Sequence, residues 1–251
     1  MRAFVSDLDN TLIYSYKRDI GERKKPVELY NGRHISFMSE KSFEALKKIL
    51  EKVTFIPLST RSVEQYKRIN FGRSCTPEFA LVSNGGILLK DGKIDEKFKN
   101  DTIKIIKNSY SELENAKYVL SKDKDVFFEI RLVDDLFVFT KSKNSGATLD
   151  KLRNSLDLSK AEVFSNGEKV YVLPKLLDKG MAVRRVREYL DISHVFSAGD
   201  SLFDIPMLNE ADVSFVPWGL EESLINNGCL YRSEKGELFS DFLLEKLYKM
   251  L

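Results

Sequence analysis

Apolar and polar positions along this chain follow one pattern at both ends and a different one in the middle. The first apolar run, Ala3 to Ser6, is short, rich in strand formers and stops at Asp7-Leu8-Asp9-Asn10-Thr11, as a buried strand ending at a loop does. From Val27 to Phe37 an Asn31-Gly32 pair sits between two strand-like arms. Asn-Gly supplies the positive φ angles of a tight turn, so a hairpin is expected near the end of the first strand. Between Ser42 and Lys52 the period lengthens to that of a helix, with Phe43, Leu46, Ile49 and Leu50 on one face, and Val53 to Leu58 follows as a second strand. Ser62-Val63-Glu64-Gln65 reads as a capping box opening a short helix, and Phe79 to Val82 as a third buried strand ending at Ser83-Asn84-Gly85-Gly86.

The pattern then changes. From Ile87 to Lys175 the expected order begins with a small hairpin at Lys90-Asp91-Gly92, a long helix around Asn100 to Ser121, and strands near Val126 to Leu132 and Leu136 to Lys141. A helix near Leu149 to Leu156 and strands near Ala161 to Ser165 and Lys169 to Leu173 complete it. Helix, strand, strand, twice over, is an α+β layer rather than continued βαβ winding. The opening pattern returns with Asp178 capping a helix to Leu190, a strand from His194 to Ala198, a helix from Leu202 to Asn209 and a strand from Val213 to Val216. The fold class is α/β. A Rossmann-like parallel-sheet core is expected over residues 1–86 and 176–251, with an α+β domain inserted at 87–175.

Composition narrows the function only by exclusion. The 40 Lys and Arg against 38 Asp and Glu give a formal charge of +2, which provides no bulk attraction to nucleic acid or membrane. No apolar stretch approaches the roughly 20 residues needed to cross a bilayer. Cys75 and Cys229 are far apart and match no metal-ligand or redox spacing, and the first residues lack a signal-peptide run, so a cytoplasmic protein with reduced thiols is expected.

The candidate chemistry lies at strand ends, where ligands bind in open parallel sheets. Asp7 and Asp9 follow the first strand, Ser59 the second, and Asp200 and Asp204 the strand ending at Ala198; Lys179 opens the helix after the insertion. Each has a bland local explanation. An Asp-Leu-Asp turns the chain, Ser59 is a polar strand end, and Ser201-Leu202-Phe203-Asp204 is a capping box. Lys179 has less excuse, because a lysine in the first helical turn opposes the macrodipole. Together they make a set: clustered carboxylates that call for a cation such as Mg²⁺, a carboxylate able to act as nucleophile, and a lysine and a hydroxyl to meet a phosphoryl group. His194, at the start of an apolar strand, is expected to be structural. The basic run Lys17-Arg18 and Arg23-Lys24-Lys25 is expected to be a solvated face, close enough to Asp7 to attract an anionic substrate.

These residues resemble the haloacid dehalogenase-like hydrolases, particularly the Cof-type phosphatases of subclass IIB. The family's ordered motifs are matched by Asp7-Leu8-Asp9-Asn10-Thr11, by Ile56-Pro57-Leu58-Ser59, by Asp178-Lys179-Gly180 and by Gly199-Asp200-Ser201-Leu202-Phe203-Asp204. Ser83-Asn84-Gly85-Gly86 is similar to the segment with which these phosphatases leave the core for an inserted cap. The resemblance implies Asp7 as nucleophile and Asp9 as general acid and base. It implies Mg²⁺ held by Asp7, the Asp9 backbone carbonyl and Asp200, with Asp204 supporting the metal's water shell. Substrate phosphate would meet Ser59, Thr60, Asn84 and Lys179, and the insertion would be a cap that selects the substrate and excludes water on closure. The implied activity is hydrolysis of a small phosphorylated metabolite, a sugar or polyol phosphate, with no nucleic-acid or membrane partner. A phosphomutase or phosphotransferase, and a receiver-like domain phosphorylated on Asp7, are the alternatives. Two departures stand out: Ser59-Thr60-Arg61 replaces the commoner Thr-Gly-Arg, and the stretch from Tyr14 to Glu40 is longer and more basic than the usual loop.

Overall fold

In the computed structural model, which describes residues 1–220 and 228–251, the first apolar run is strand β1 (Arg2–Ser6), with Ala3 to Ser6 buried. A two-residue strand β2 (Tyr14–Ser15) pairs with the second arm of a hairpin, β3 (Lys24–Tyr30) and β4 (Arg33–Ser39), to give the order β2-β4-β3. At its turn Asn31 and Gly32 have φ of 49° and 74°, as two central residues of a type I′ turn require. The Ser39 side chain accepts from Ser42 N, so helix α1 (Glu40–Leu50) starts two residues before the expected Ser42. Strand β5 (Thr54–Pro57) then lies parallel to β1, and the short helix α2 (Val63–Tyr66) carries the capping box expected at Ser62 and Gln65. Strand β6 (Phe79–Val82) touches the chain beyond β5 through a parallel bridge between Leu58 and Leu81.

Strands β7 (Ile87–Lys90) and β8 (Lys93–Ile94) complete a small antiparallel sheet in the order β6-β7-β8. The chain forms two compact units, Met1–Asp95 with Asp178–Leu251, and Glu96–Leu177. The inserted unit expected over 87–175 corresponds here to Glu96–Leu177. Strand β7 lies outside it and is hydrogen-bonded along the whole of β6, from Phe79 opposite Lys90 to Val82 opposite Ile87.

The second unit begins with two helices where one was expected. Helix α3 (Glu96–Ile106) and helix α4 (Tyr110–Lys122) are separated by a tight turn over Lys107–Ser109. Asn108, Ser109 and Ser111 are weak helix formers, and the Ser109 hydroxyl donates to the Lys160 carbonyl instead, at 2.8 Å. Strands β9 (Arg131–Val133) and β10 (Phe137–Lys141), helix α5 (Ser145–Ser155), and strands β11 (Ala161–Asn166) and β12 (Lys169–Pro174) follow. The strand expected from Val126 starts only at Arg131. Upstream, Val126 makes an antiparallel bridge to Ser142 and Phe127 N donates to Lys141 O, but the Phe128 carbonyl then accepts from the Thr140 hydroxyl, which interrupts the ladder. The antiparallel order is β11-β12-β10-β9. Val138, Val163, Val170 and Val172 share a buried cluster with Leu113, Ala116 and Leu120 of α4 and Leu149 and Leu152 of α5. Their alternates, Phe139, Phe164 and Tyr171, lie on the other face.

The first unit resumes at Asp178, whose side chain accepts from Met181 N at 2.8 Å and caps helix α6 (Lys179–Tyr189). Strand β13 (His194–Ala198) matches its expected bounds; a 3₁₀ turn over Leu202–Asp204 leads into helix α7 (Ile205–Asn209), and strand β14 (Val213–Val216) follows. Two further elements, β15 (Cys229–Arg232) and helix α8 (Phe239–Met250), close the unit. The five-stranded sheet runs β15-β14-β13-β1-β5, parallel throughout. Phe4, Phe55, Phe196 and Phe215 share one core with Leu46 and Ile49 of α1 and Leu243, Leu244 and Leu247 of α8. Among the described residues, no helix is long and apolar enough to cross a membrane.

Candidate active site

The parallel register brings three strand ends side by side. Ser6 stands opposite both Ala198 and Pro57, and the ladder continues one residue further, with Asp7 N donating to Ala198 O and Leu58 N to Ser6 O. Asp7 therefore emerges between the chain leading to Asp200 and the chain leading to Ser59. Two glycines let the remaining pieces close in. A Cβ on Gly199 would lie 2.2 Å from the Asp204 Cβ, and one on Gly180 would lie 2.7 Å from the Pro206 carbonyl oxygen. Without a side chain at Gly199 the turn to Asp204 can fold back on the end of β13, and without one at Gly180 the start of α6 can approach the backbone of α7.

Lys179 is the hub. Its side chain is buried, and Nζ lies 2.6 Å from Asp7 Oδ1 and 2.6 Å from Asp204 Oδ1. The other oxygen of Asp204 accepts from Asp200 N and Ser201 N, each at 3.0 Å, and from the Ser201 hydroxyl at 2.8 Å. The capping box is thus real, and it orients an aspartate whose second oxygen holds the lysine. Thr11 Oγ1 lies 3.3 Å from both Asp7 Oδ2 and Asp200 Oδ1. Burial, together with the neighbouring charges of Asp204, Asp200 and Asp9, raises the Asp7 carboxyl well above the usual carboxylate range despite Lys179. Asp200 is pushed up to about 7 by burial and then by Asp204. Burial works against the charge on Lys179, but Asp204 and Asp7 outweigh it and hold its pKa above the ordinary value.

Carboxylate oxygens of Asp7, Asp200 and Asp204 lie within 4.8 Å of one another. Protein donors surround both oxygens of Asp204, which suits it to orient the site rather than to ligate. Asp7 and Asp200 bring two carboxylates together in a poorly solvated place, where burial first and the neighbouring carboxylates second raise the proton affinity of both. An all-oxygen set with few carboxylates is what Mg²⁺ favours, so the residues fit that ion.

Asp9 is placed differently from the rest. Its side chain is half exposed, lies outside the cluster of the other three aspartates, and is gripped by Arg61, with Nε 2.7 Å from Oδ2 and Nη2 2.8 Å from Oδ1. Burial opposes the charge on Arg61, but Asp9 and Glu28 hold its pKa above the ordinary value. Ser59 is buried and its hydroxyl accepts from Arg61 N at 3.2 Å, while Thr60 is half-buried. Ser83 N donates to Arg61 O at 2.8 Å and Asn84 N to Ser59 O at 3.0 Å, so the turns after β5 and β6 are tied together. Ser83, Asn84 and Gly85 all have positive φ, and a Cβ on Gly85 would lie 2.2 Å from that of Ala182 in α6. Asn84, within this turn, is buried.

Thr11, the last residue of the first motif, and Arg61, two residues beyond the second, carry no role that the sequence pattern assigns. Glu28, the other partner of Arg61, gave no signal at all. His194 opens β13 at the end away from Asp200 and packs edge-on against Phe196, a structural place.

The family model for haloacid dehalogenase-like hydrolases matches residues 24–216. No curated protein sequence matches the chain. Among solved structures, a sucrose-phosphatase from Synechocystis sp. PCC6803, crystallised with sucrose and phosphate, superposes with a TM-score of 0.68 at 16% identity, covering 99% of each chain. A subclass IIB sugar phosphatase superposes with a TM-score of 0.65 at 12% identity, over 100% of this chain and 99% of its own. A trehalose-6-phosphate phosphatase from Aspergillus fumigatus gives 0.52 at 15% identity, over 99% and 92%.

Proposed function

As this chain belongs to the haloacid dehalogenase-like hydrolases, we propose that it is a Mg²⁺-dependent phosphatase that releases phosphate from a small phosphorylated metabolite by way of a phosphoryl group carried on Asp7. The observation that carries this reading is Lys179, buried between Asp7 and Asp204 with Asp200 in the same cluster. A buried cation set against a carboxylate nucleophile is an arrangement suited to neutralising charge on a phosphoryl group.

Asp7 Oδ attacks phosphorus, the bond to the ester oxygen breaks, and Asp9 gives its proton to that oxygen as the alcohol leaves. Water then attacks the phosphorus of the aspartyl-phosphate while Asp9 takes back a proton, freeing inorganic phosphate and restoring Asp7. Lys179 balances charge on the phosphoryl oxygens and keeps Asp7 oriented; Ser59 and Thr60, with Asn84 behind them, are assigned to the phosphate side of the site. Asp7, the Asp9 carbonyl and Asp200 would hold Mg²⁺, which would supply further positive charge to the phosphoryl group.

Substrate selection is assigned to the inserted unit. The named activities of the similar structures, on sucrose phosphate and trehalose-6-phosphate, support a sugar or polyol phosphate as the substrate class. The test is a screen of phosphorylated sugars, polyols, nucleotides and cofactors, with Mg²⁺ and after chelation. Phosphate release should require Mg²⁺ and be abolished in Asp7→Asn; turnover that survives either change contradicts the reading.

A further inference from the structure

The β3–β4 hairpin carries a buried carboxylate whose partners lead to Asp9. Regular alternation would send Val27 and Glu28 to opposite faces of β3. Instead the pairing with β4 is irregular on both sides of Glu28, Val27 and Glu28 are both buried, and Leu29 and Tyr30 are both exposed. A bulge of this kind re-aims a side chain at the cost of ladder bonds. What it re-aims is a glutamate with a fully buried side chain.

Glu28 Oε1 lies 2.8 Å from Arg61 Nη1, and Oε2 lies 3.0 Å from Arg61 Nη2 while accepting from the Ser36 hydroxyl at 2.6 Å. Arg68 Nε adds a second positive charge 3.2 Å from Oε1. One edge of the Arg61 guanidinium is thus locked on Glu28, and its other edge, Nε with Nη2, holds both oxygens of Asp9. The backbone of Arg61 is fixed as well, through Ser59 Oγ and Ser83 N. Apolar residues would fill a buried site such as that of Glu28 with equal or better stability, so packing alone does not account for a glutamate there. A rigid planar fork between two carboxylates is a device for fixing direction.

Resting on the phosphatase reading, we infer that Glu28 and Arg61 are positioning residues for Asp9: the hairpin holds Arg61, and Arg61 holds the Asp9 carboxylate in the direction from which it serves the leaving oxygen and the attacking water. The long segment after the first motif then has a task in the reaction.

The experiment compares phenyl phosphate with 4-nitrophenyl phosphate, esters of nearly the same shape, in the full-length protein with Mg²⁺. Nitrophenolate leaves without a proton and phenol does not. In Glu28→Gln, kcat/KM for phenyl phosphate should fall about 10- to 100-fold while that for 4-nitrophenyl phosphate changes by less than about threefold, the range of a misplaced general acid. A burst of nitrophenol equal to the enzyme should also appear, as the phosphorylated enzyme waits for its water. Arg61→Lys, which keeps a cation beside Glu28, should give the same split and covers the case in which Glu28→Gln does not fold by thermal melting. Equal losses for both esters, or no burst, would overturn the inference and make Arg61 a phosphate-binding or structural residue. A wild-type protein inert toward both esters would overturn the phosphatase reading, and this inference with it.

Discussion

Lys179 shows why one residue can be read from sequence and its neighbour cannot. A lysine at the first position of a helix opposes the macrodipole, and that local misfit pointed to a partner elsewhere. The partners are Asp7 and Asp204, each 2.6 Å away and buried with it. Removing one side of a buried ion pair leaves an uncompensated charge, here on a cluster already crowded with carboxylates. Lys179→Met should therefore lower stability in urea unfolding by about 3–5 kcal/mol in the absence of Mg²⁺, and a change near zero would mean that Lys179 and Asp204 do not form a buried ion pair. Arg61 had a weaker signal, since an arginine after Ser59-Thr60 fits a turn as well as a site. Glu28 had none, because the alternation that assigns faces to a strand fails at the very residue where the strand bulges.

At the scale of elements, turn chemistry was the most legible signal. Asn31-Gly32, Ser62 with Gln65, and Asp178 each formed the turn or cap their residue types favour. Apolar periodicity was less able to see interruptions. It ran α3 and α4 together across Lys107–Ser109, and it extended a strand upstream of Arg131 where a threonine hydroxyl interrupts the ladder. It also placed a domain boundary before β7, since an antiparallel hairpin after a parallel strand reads as a change of layer until its pairing with β6 is known. The turn after β6 is the tightest of these features. Gly85→Ala adds a Cβ that would sit 2.2 Å from Ala182 Cβ at a φ of 85°, so it should cost about 2 kcal/mol or more. Because this turn bonds to Ser59 and Arg61, the variant should also lose activity beyond its loss of stability; full activity in the folded fraction would contradict that coupling.

For the whole molecule, the parallel core was legible and the site within it followed, because strand ends in the right order converge whatever the loops do. Solved structures at 12–16% identity cover nearly all of the chain, which extends the agreement to the fold of both units. The buried carboxylates give the molecule a predictable response to pH. Asp7 and Asp200 hold protons more tightly folded than unfolded, so their contribution to stability is complete below the ordinary carboxylate range and is lost as pH rises, that of Asp200 through about 7. Metal-free protein should melt at a lower temperature at pH 8 than at pH 5, and Mg²⁺ should raise the melting temperature more at pH 8. A melting temperature that rises over this interval without metal, or a Mg²⁺ effect larger at pH 5, would contradict the arrangement of charge described here.

The central claim is that Asp7 carries the phosphoryl group. The direct measurement is to mix the protein with Mg²⁺ and 4-nitrophenyl phosphate, quench in acid within one turnover, and map the phosphorylated peptide by mass spectrometry. Asp9→Asn serves as the variant in which the second step is slowed. The label should sit on Asp7, be stable to acid and be released by hydroxylamine. Turnover without any covalent label in Asp9→Asn, or a label on a residue other than Asp7, would contradict the account.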